Sequence, residues 1–302
     1  MVVRNVALKV WHSVDADARH WQILALSGLF LLSRTVSDFG ATYTGLVAAF
    51  SGAMVAQVAG TLATGIRFEW KSAVITTLGL TILLRAADPV FWFAAGLIGV
   101  GAKFIVRING KHLFNPACFG IVVVTLASSA AWVSPGQWGQ APIVAAFATG
   151  LAALVLSSAK RLDIALGFLV FFAAFLTARA LWLGDPVVIP LHKFQNGALL
   201  VFAFFMITDP RSTPDSRLGR LVFAFAVAGL AAWISWQWHL RGAMLYALAA
   251  LAVLTPVIDR WLPATRFQWT FKEPSRGGPY ETQTHSHGHR LRADAARFRP
   301  VR

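Results

Sequence analysis

Long apolar runs separated by short polar breaks fill the chain from Trp21 to Trp261. A helix that crosses a bilayer needs about 20 mostly apolar residues. The pattern predicts spans at 21–33, 41–64, 72–87, 89–107, 114–132, 141–158, 162–183, 194–208, 218–238 and 242–261. The first is short unless Trp11 to Arg34 forms one longer helix. The expected fold is an all-α integral membrane domain of ten transmembrane helices over residues 21–262, with a cytoplasmic segment at 1–20 and a polar tail at 263–302. Residues 1–20 are read as retained, because no apolar region with a small-residue cleavage site follows Arg4 and Lys9. Trp132, Trp138, Trp182, Trp236, Trp238 and Trp261 fall at predicted span ends, where amphipathic rings anchor a helix at the headgroups.

An internal repeat shows at an offset of about 121 residues. Phe68-Glu69-Trp70-Lys71-Ser72-Ala73, an apolar helix and Asp88-Pro89 line up with Leu191-His192-Lys193, Gly197-Ala198, an apolar helix and Asp209-Pro210. Five spans per half, about 21–132 and 141–261, would give the halves opposite orientations. Such inverted repeats enclose a site at their interface.

Composition and charge narrow this picture. The chain is 57% hydrophobic and 13% charged, with a net charge of +14. In a membrane protein, basic residues gather in cytoplasmic loops. With the N-terminus inside, 22 of the 27 Lys and Arg residues fall in inside segments, and only Arg34, Arg85, Arg179, Lys193 and Arg241 fall outside. The surplus therefore reads as topology and contact with anionic lipid, not nucleic acid, and it puts both termini in the cytoplasm. The single cysteine, Cys118, excludes an internal disulfide and any multi-cysteine iron–sulfur or zinc site. His285, His287 and His289 are read as part of a solvated, disordered basic tail, with no metal site.

Three polar segments stand out as places for chemistry. In Gly110-Lys111-His112-Leu113-Phe114-Asn115-Pro116-Ala117, Asn115 suits a helix N-cap with Pro116 at the first position. That aims backbone N–H groups at a neighbouring anion or carbonyl. Thr208-Asp209-Pro210 ends an apolar run and continues into Arg211-Ser212-Thr213-Pro214-Asp215-Ser216-Arg217-Leu218-Gly219-Arg220. A carboxylate at membrane depth needs a partner or water, and Arg211, Arg217 and Arg220 are its expected partners. The two prolines suit a broken helix lining a cavity. In Leu191-His192-Lys193-Phe194-Gln195-Asn196-Gly197-Ala198, the amides of Gln195 and Asn196 offer donors and acceptors to a flat heteroaromatic ring.

In these segments the sequence resembles the RnfD/NqrB membrane subunits of the ion-translocating, flavin-containing Rnf and Na+-translocating NADH:quinone oxidoreductase complexes. The resemblance is carried by Gly-Lys-His-Leu-Phe-Asn-Pro-Ala, by Gly-Ala-Leu-Leu-x-Phe-Ala-Phe-Phe-Met-Ile-Thr-Asp-Pro and by Thr-Pro-Asp-Ser-Arg-x-Gly-Arg, and it covers residues 20–262. It implies a urea-transporter-like fold of two inverted five-helix halves. It also implies an electron-transport subunit that couples flavin or quinone electron transfer to ion translocation, working with other membrane and cytoplasmic subunits in the bacterial inner membrane. Lys111, Asn115, Pro116, Gln195, Asn196, Gly197, Thr208, Asp209 and Arg217 are the expected cofactor-binding residues; catalytic residues are not assigned.

The family carries FMN on a threonine between the halves, where this chain has Trp132-Val133-Ser134-Pro135-Gly136-Gln137-Trp138-Gly139-Gln140 and no threonine. Gly40-Ala41-Thr42 follows the first helix instead and is read as a chance match. The expected cofactor is therefore a non-covalent flavin, FMN or riboflavin. No nucleotide-binding motif is present, so the chain is not expected to take hydride from NADH alone. The alternative is a stand-alone transporter or channel for a small solute or a flavin on the same fold; an assembly subunit without a ligand is a third reading.

Overall fold

The computed structural model describes residues 17–35, 40–134, 161–194 and 196–267, all within one compact unit, Met1–Trp269. The predicted span 141–158, Gln195, Trp138 and the histidines of the tail lie outside the described residues.

Helices α1 (Ala18–Thr35) and α2 (Tyr43–Thr64) open the described chain. Thr42 caps α2 by accepting the Gly45 N–H at 3.0 Å, and Gly65, at φ +68°, closes it. The residue of the Gly-Ala-Thr triplet thus has a local job in starting a helix. Next come α3 (Trp70–Leu83), strand β1 (Leu84–Ala86) and α4 (Pro89–Ile105), the last capped by Asp88 with Pro89 at its first position. A hairpin of β2 (Arg107–Ile108) and β3 (Lys111–His112) turns through Asn109 and Gly110, at φ +50° and +79°. Two successive positive φ values are what an Asn-Gly hairpin turn supplies at low cost. Helix α5 (Pro116–Ala127) and strand β4 (Ala131–Val133) follow, and β4 pairs antiparallel with β1.

Beyond residue 160 lie α6 (Leu162–Leu183), α7 (Val188–Phe194) and α8 (Gly197–Val201). Helix α8 runs directly into a π-helical turn, Phe202–Met206. Then come α9 (Arg217–Gln237) and α10 (Ala243–Leu251), which continues through a 3-10 turn into α11 (Thr255–Trp261).

The expectation of ten continuous helices is modified in a definite way. Among the described residues four helices are long and apolar enough to cross a membrane: Tyr43–Thr64, Leu162–Leu183, Arg217–Gln237 and Ala243–Trp261. Helices α3 and α5, with 14 and 12 residues, reach only about 21 and 18 Å at 1.5 Å per residue, against a hydrocarbon core of about 30 Å. Short β-paired segments extend both, so the predicted spans 72–87 and 114–132 are helix plus strand. Predicted span 194–208 is helical for only ten residues, 197–206, part of them π-helical.

Small residues let the helices approach closely. A Cβ on Gly52 of α2 would collide with the Phe93 carbonyl of α4, and one on Gly96 with the Ala49 carbonyl. Gly99 of α4 and Gly120 of α5 sit likewise against the carbonyls of Pro116 and Ala95. The remaining core is large and apolar, with Phe168, Phe202, Phe223, Ile164 and Leu199 fully buried among α6, α8 and α9. Of the anchor tryptophans, Trp132, Trp182, Trp238 and Trp261 are exposed, and Trp236 packs partly into the core with the Arg179 guanidinium over its ring.

Candidate functional site

Two broken elements meet in the interior. Asn115 Oδ1 accepts the Cys118 N–H at 3.0 Å, which starts α5, while its Nδ2 donates to the Met206 carbonyl at 3.4 Å. One side chain thereby joins the start of α5 to the end of the π turn, 91 residues away. The π turn closes with Ile207 N–H to the Phe202 carbonyl at 3.1 Å, and π-helical turns often mark functional positions. Thr208 Oγ1 donates back to the Phe204 carbonyl at 2.8 Å. Asp209 then leaves the helix in a turn, its Oδ1 accepting the Arg211 N–H at 3.0 Å.

A cavity of ≈ 300 Å³ opens beside this junction. Asn115, Pro116, Thr208 and Asp209 line it, together with Gln57 of α2, Glu69, Ser72 and Thr76 of the α3 region, and Lys103 and Phe104 of α4. Phe204 and Phe205 add further apolar walls, and Arg19, Arg67, Arg107 and Arg211 add cationic groups. Lys103 Nζ donates to Gln57 Oε1 at 2.7 Å and to Ser72 Oγ at 3.2 Å. Gln57 is itself held by Nε2–H to Thr61 Oγ1 at 3.3 Å. The arrangement has what a flat ring ligand requires: aromatic walls and a few convergent donors and acceptors.

A second cavity, of ≈ 720 Å³, lies between the β2–β3 hairpin and α11. His112 and Arg211 line both, so these two side chains form the partition. His112 is buried, and its Nδ1 lies 3.0 Å from the Phe114 carbonyl, so Nδ1 carries a proton and donates it to that oxygen. Burial holds the imidazole below its ordinary value, against the raising influence of Asp209.

Of the residues expected from sequence, Asn115, Pro116, Thr208 and Asp209 are brought together here. Lys111 is directed elsewhere: its ammonium lies 2.9 Å from Asp259 Oδ2 and 3.1 Å from Asp215 Oδ1, and donates to the Thr213 carbonyl at 2.9 Å. Asn196 caps α8, accepting the Ala198 N–H at 2.8 Å, with Gly197 buried beside it. The ten helical residues from 197 to 206 put about 15 Å between that cap and the Asp209 end. Arg217 is exposed at the start of α9, and Gln195 is outside the described residues.

The expected pairing of Asp209 with an arginine is corrected. Among the described residues no Lys or Arg nitrogen comes within ion-pair range of its carboxylate; Arg220 is bonded to Asp163, and Arg211 offers only its backbone N–H. Lys103, Gln57 and His112 were not expected at the site. A lysine inside the apolar run 89–107 was the available signal, because ionisable groups within a span mark function by default.

Other ion pairs brace the loops around the site. Arg19 bonds Asp17 and Glu69, and Lys71 reaches Asp17 at 2.8 Å. Burial alone would raise the Asp17 carboxyl, but the hydrogen bonds from Arg19 and Lys71 outweigh it and hold the group well below the usual carboxylate range.

Residues 133–268 match the NQR2, RnfD, RnfE family model, a segment that contains Thr208-Asp209-Pro210 but not Asn115. The chain is 27% identical to the D component of the ion-translocating oxidoreductase complex of Alcanivorax borkumensis, over 54% of this chain and 65% of that protein. It is 31% identical to the corresponding D components of two Escherichia coli strains, over 43% of this chain and 32% of theirs. The matches thus cover less than two thirds of these relatives' length. With four apolar helices of membrane-crossing length among the described residues, the chain is a multi-pass membrane protein, and its segment 133–268 is similar to the NQR2, RnfD, RnfE family.

Proposed function

We propose that the chain is an RnfD-like subunit of an ion-translocating electron-transport complex. In this reading, a non-covalently bound flavin (FMN or riboflavin) or a quinone occupies the cavity between α3, α4, α5 and the π turn. The carrying observation is the Asn115-to-Met206 bond, which closes a polar, aromatic-walled cavity where two broken helices meet. The bound ring supplies the capacity to accept and release electrons. The protein's part is to orient that ring between Phe104, Phe204 and Phe205, with Asn115, Thr208 and Gln57 at its polar edges, and to place Asp209 as a carboxylate beside it. Asp209 and His112 are the groups that can hold a proton or face a cation near that ring. The other membrane and cytoplasmic subunits of the complex supply the electron donor and acceptor.

On the same reading the molecule is built as two inverted five-span halves in a urea-transporter-like arrangement, in the bacterial inner membrane with both termini cytoplasmic. Two observations support it. Asp88 and Asp209 make the same local bond, accepting the N–H two residues on at 2.8 and 3.0 Å, yet Asp88 is exposed and Asp209 lines the cavity. The ion pairs among the described residues also join segments that the charge count assigns to one side: Asp17, Arg19, Glu69 and Lys71; Lys111, Asp215 and Asp259; Asp163 and Arg220.

The test is purification of the full chain from native membranes, followed by solvent extraction and spectroscopy. Released flavin or quinone, with bleaching by a reductant and recovery with an oxidant, is the expected result. A colourless protein that catalyses solute uptake in liposomes would replace this reading with the transporter.

A further inference from the structure

We propose that the ligand of the cavity carries a negatively charged group, a phosphate or a carboxylate, held by Lys103 and Arg211. This rests on the reading of that cavity as a ligand site and adds the charge of what it takes.

Lys103 is 9% exposed in the last turn of α4. Its two partners, Gln57 Oε1 and Ser72 Oγ, are both uncharged. Among the described residues no carboxylate lies within 4.0 Å of it. An ammonium has three N–H donors; beyond the bonds to Gln57 and Ser72, Nζ lies over the Phe104 ring, 5.3 Å from its centroid, a weaker contact than an anion would give the third donor. Taking an ammonium out of water without an opposing charge is costly. The helix dipole favours a cation at a C-terminal turn, but a lysine facing water would meet that preference equally well.

The rest of the lining tilts the same way. Five cationic side chains face two carboxylates in this cavity. Glu69 is taken by Arg19, and Asp209 accepts the backbone N–H of Arg211. The Arg107 guanidinium donates to carbonyls only, those of Lys103 and Gly110. An anionic group would therefore meet one buried ammonium and a guanidinium fork suited to bidentate binding.

The experiment uses the full chain in detergent micelles and four probes in two pairs: FMN and riboflavin, then naphthoquinone sulfonate and naphthoquinone. Each pair shares a ring and differs in charge, and affinity is read by quenching of the protein's 12 tryptophans and by equilibrium dialysis. The charged member of each pair is expected to bind at least about tenfold tighter. Lys103→Met should remove that preference, read as the ratio of the two affinities within each pair, and Arg211→Gln should reduce it. If Lys103→Met does not fold, Arg211→Gln decides. Equal affinities for charged and neutral probes, a preference untouched by both variants, or binding of none of the four overturns the proposal. A sulfonate preference without any flavin binding keeps the anion and removes the flavin. Equal binding of both flavins keeps the flavin and removes the anion.

Discussion

Replacing Lys111 by Met tests whether this residue braces the fold or serves the cavity. The ammonium bridges two carboxylates, Asp259 at 2.9 Å and Asp215 at 3.1 Å, and donates to the Thr213 carbonyl, so it ties the β2–β3 hairpin to the turn before α9 and to α11. The three side chains are 15%, 21% and 6% exposed for Lys111, Asp259 and Asp215. Removing one partner of a buried pair costs about 3–5 kcal/mol, because the other charge is stranded. The partial exposure of Asp259 puts the expected loss at the lower end, about 3 kcal/mol. Methionine keeps most of the lysine stem's volume, so little of that loss is packing. The assay is reversible unfolding in mixed micelles followed by tryptophan fluorescence, with ligand binding measured in parallel. The triple variant Lys111→Met, Asp215→Asn, Asp259→Asn should recover most of the loss, since no charge is then stranded. A Lys111→Met protein within about 1 kcal/mol of wild type, the scale of an exposed pair, would refute the reasoning. Unchanged stability with lost ligand binding would return Lys111 to the site.

Three further outcomes are expected. Asp209→Asn should insert and purify as wild type does, because the amide still accepts the Arg211 N–H, but under the proposed function it should lose electron transfer measured in the assembled complex; equal activity would remove Asp209 from the proposed mechanism. Gly120→Ala places a methyl against the Ala95 carbonyl, must push α4 from α5, and should cost about 1–3 kcal/mol in the same unfolding assay. Asp17 has a folded pKa below its ordinary 3.8, so its contribution is fully present above that value and is lost as pH falls below it. The wild-type advantage over Asp17→Asn in unfolding should therefore be constant from pH 7 to 5 and shrink on further acidification.

The membrane character, the order of apolar segments and the two breaks at Asn115 and Asp209 were legible along the chain, because each depends on local composition or on a cap and a proline within a few residues. Asn115-Pro116 needs only its own first turn to cap a helix. What Asn115 does with its other amide atom could not be read, since Met206 is 91 residues away. The same limit explains the partners of the charged groups. Asp209 has three arginines within eleven residues, yet the turn and the start of α9 send Arg220 to Asp163 and leave Arg217 exposed. Lys111 looked like a ligand contact from its motif, and two acids from later in the chain take it instead.

Sequence by itself therefore determined which stretches are apolar enough for lipid, where helices must start or break, and the surplus of positive charge. These follow from side-chain chemistry and from hydrogen bonds within one turn. Only the tertiary structure decided that spans 72–87 and 114–132 finish as paired strands, that the two breaks share one cavity, and that Lys103 turns inward to Gln57 and Ser72. The reason is that close helix approach at Gly52, Gly96, Gly99 and Gly120 sets which faces meet, and that choice is made between residues far apart in the chain.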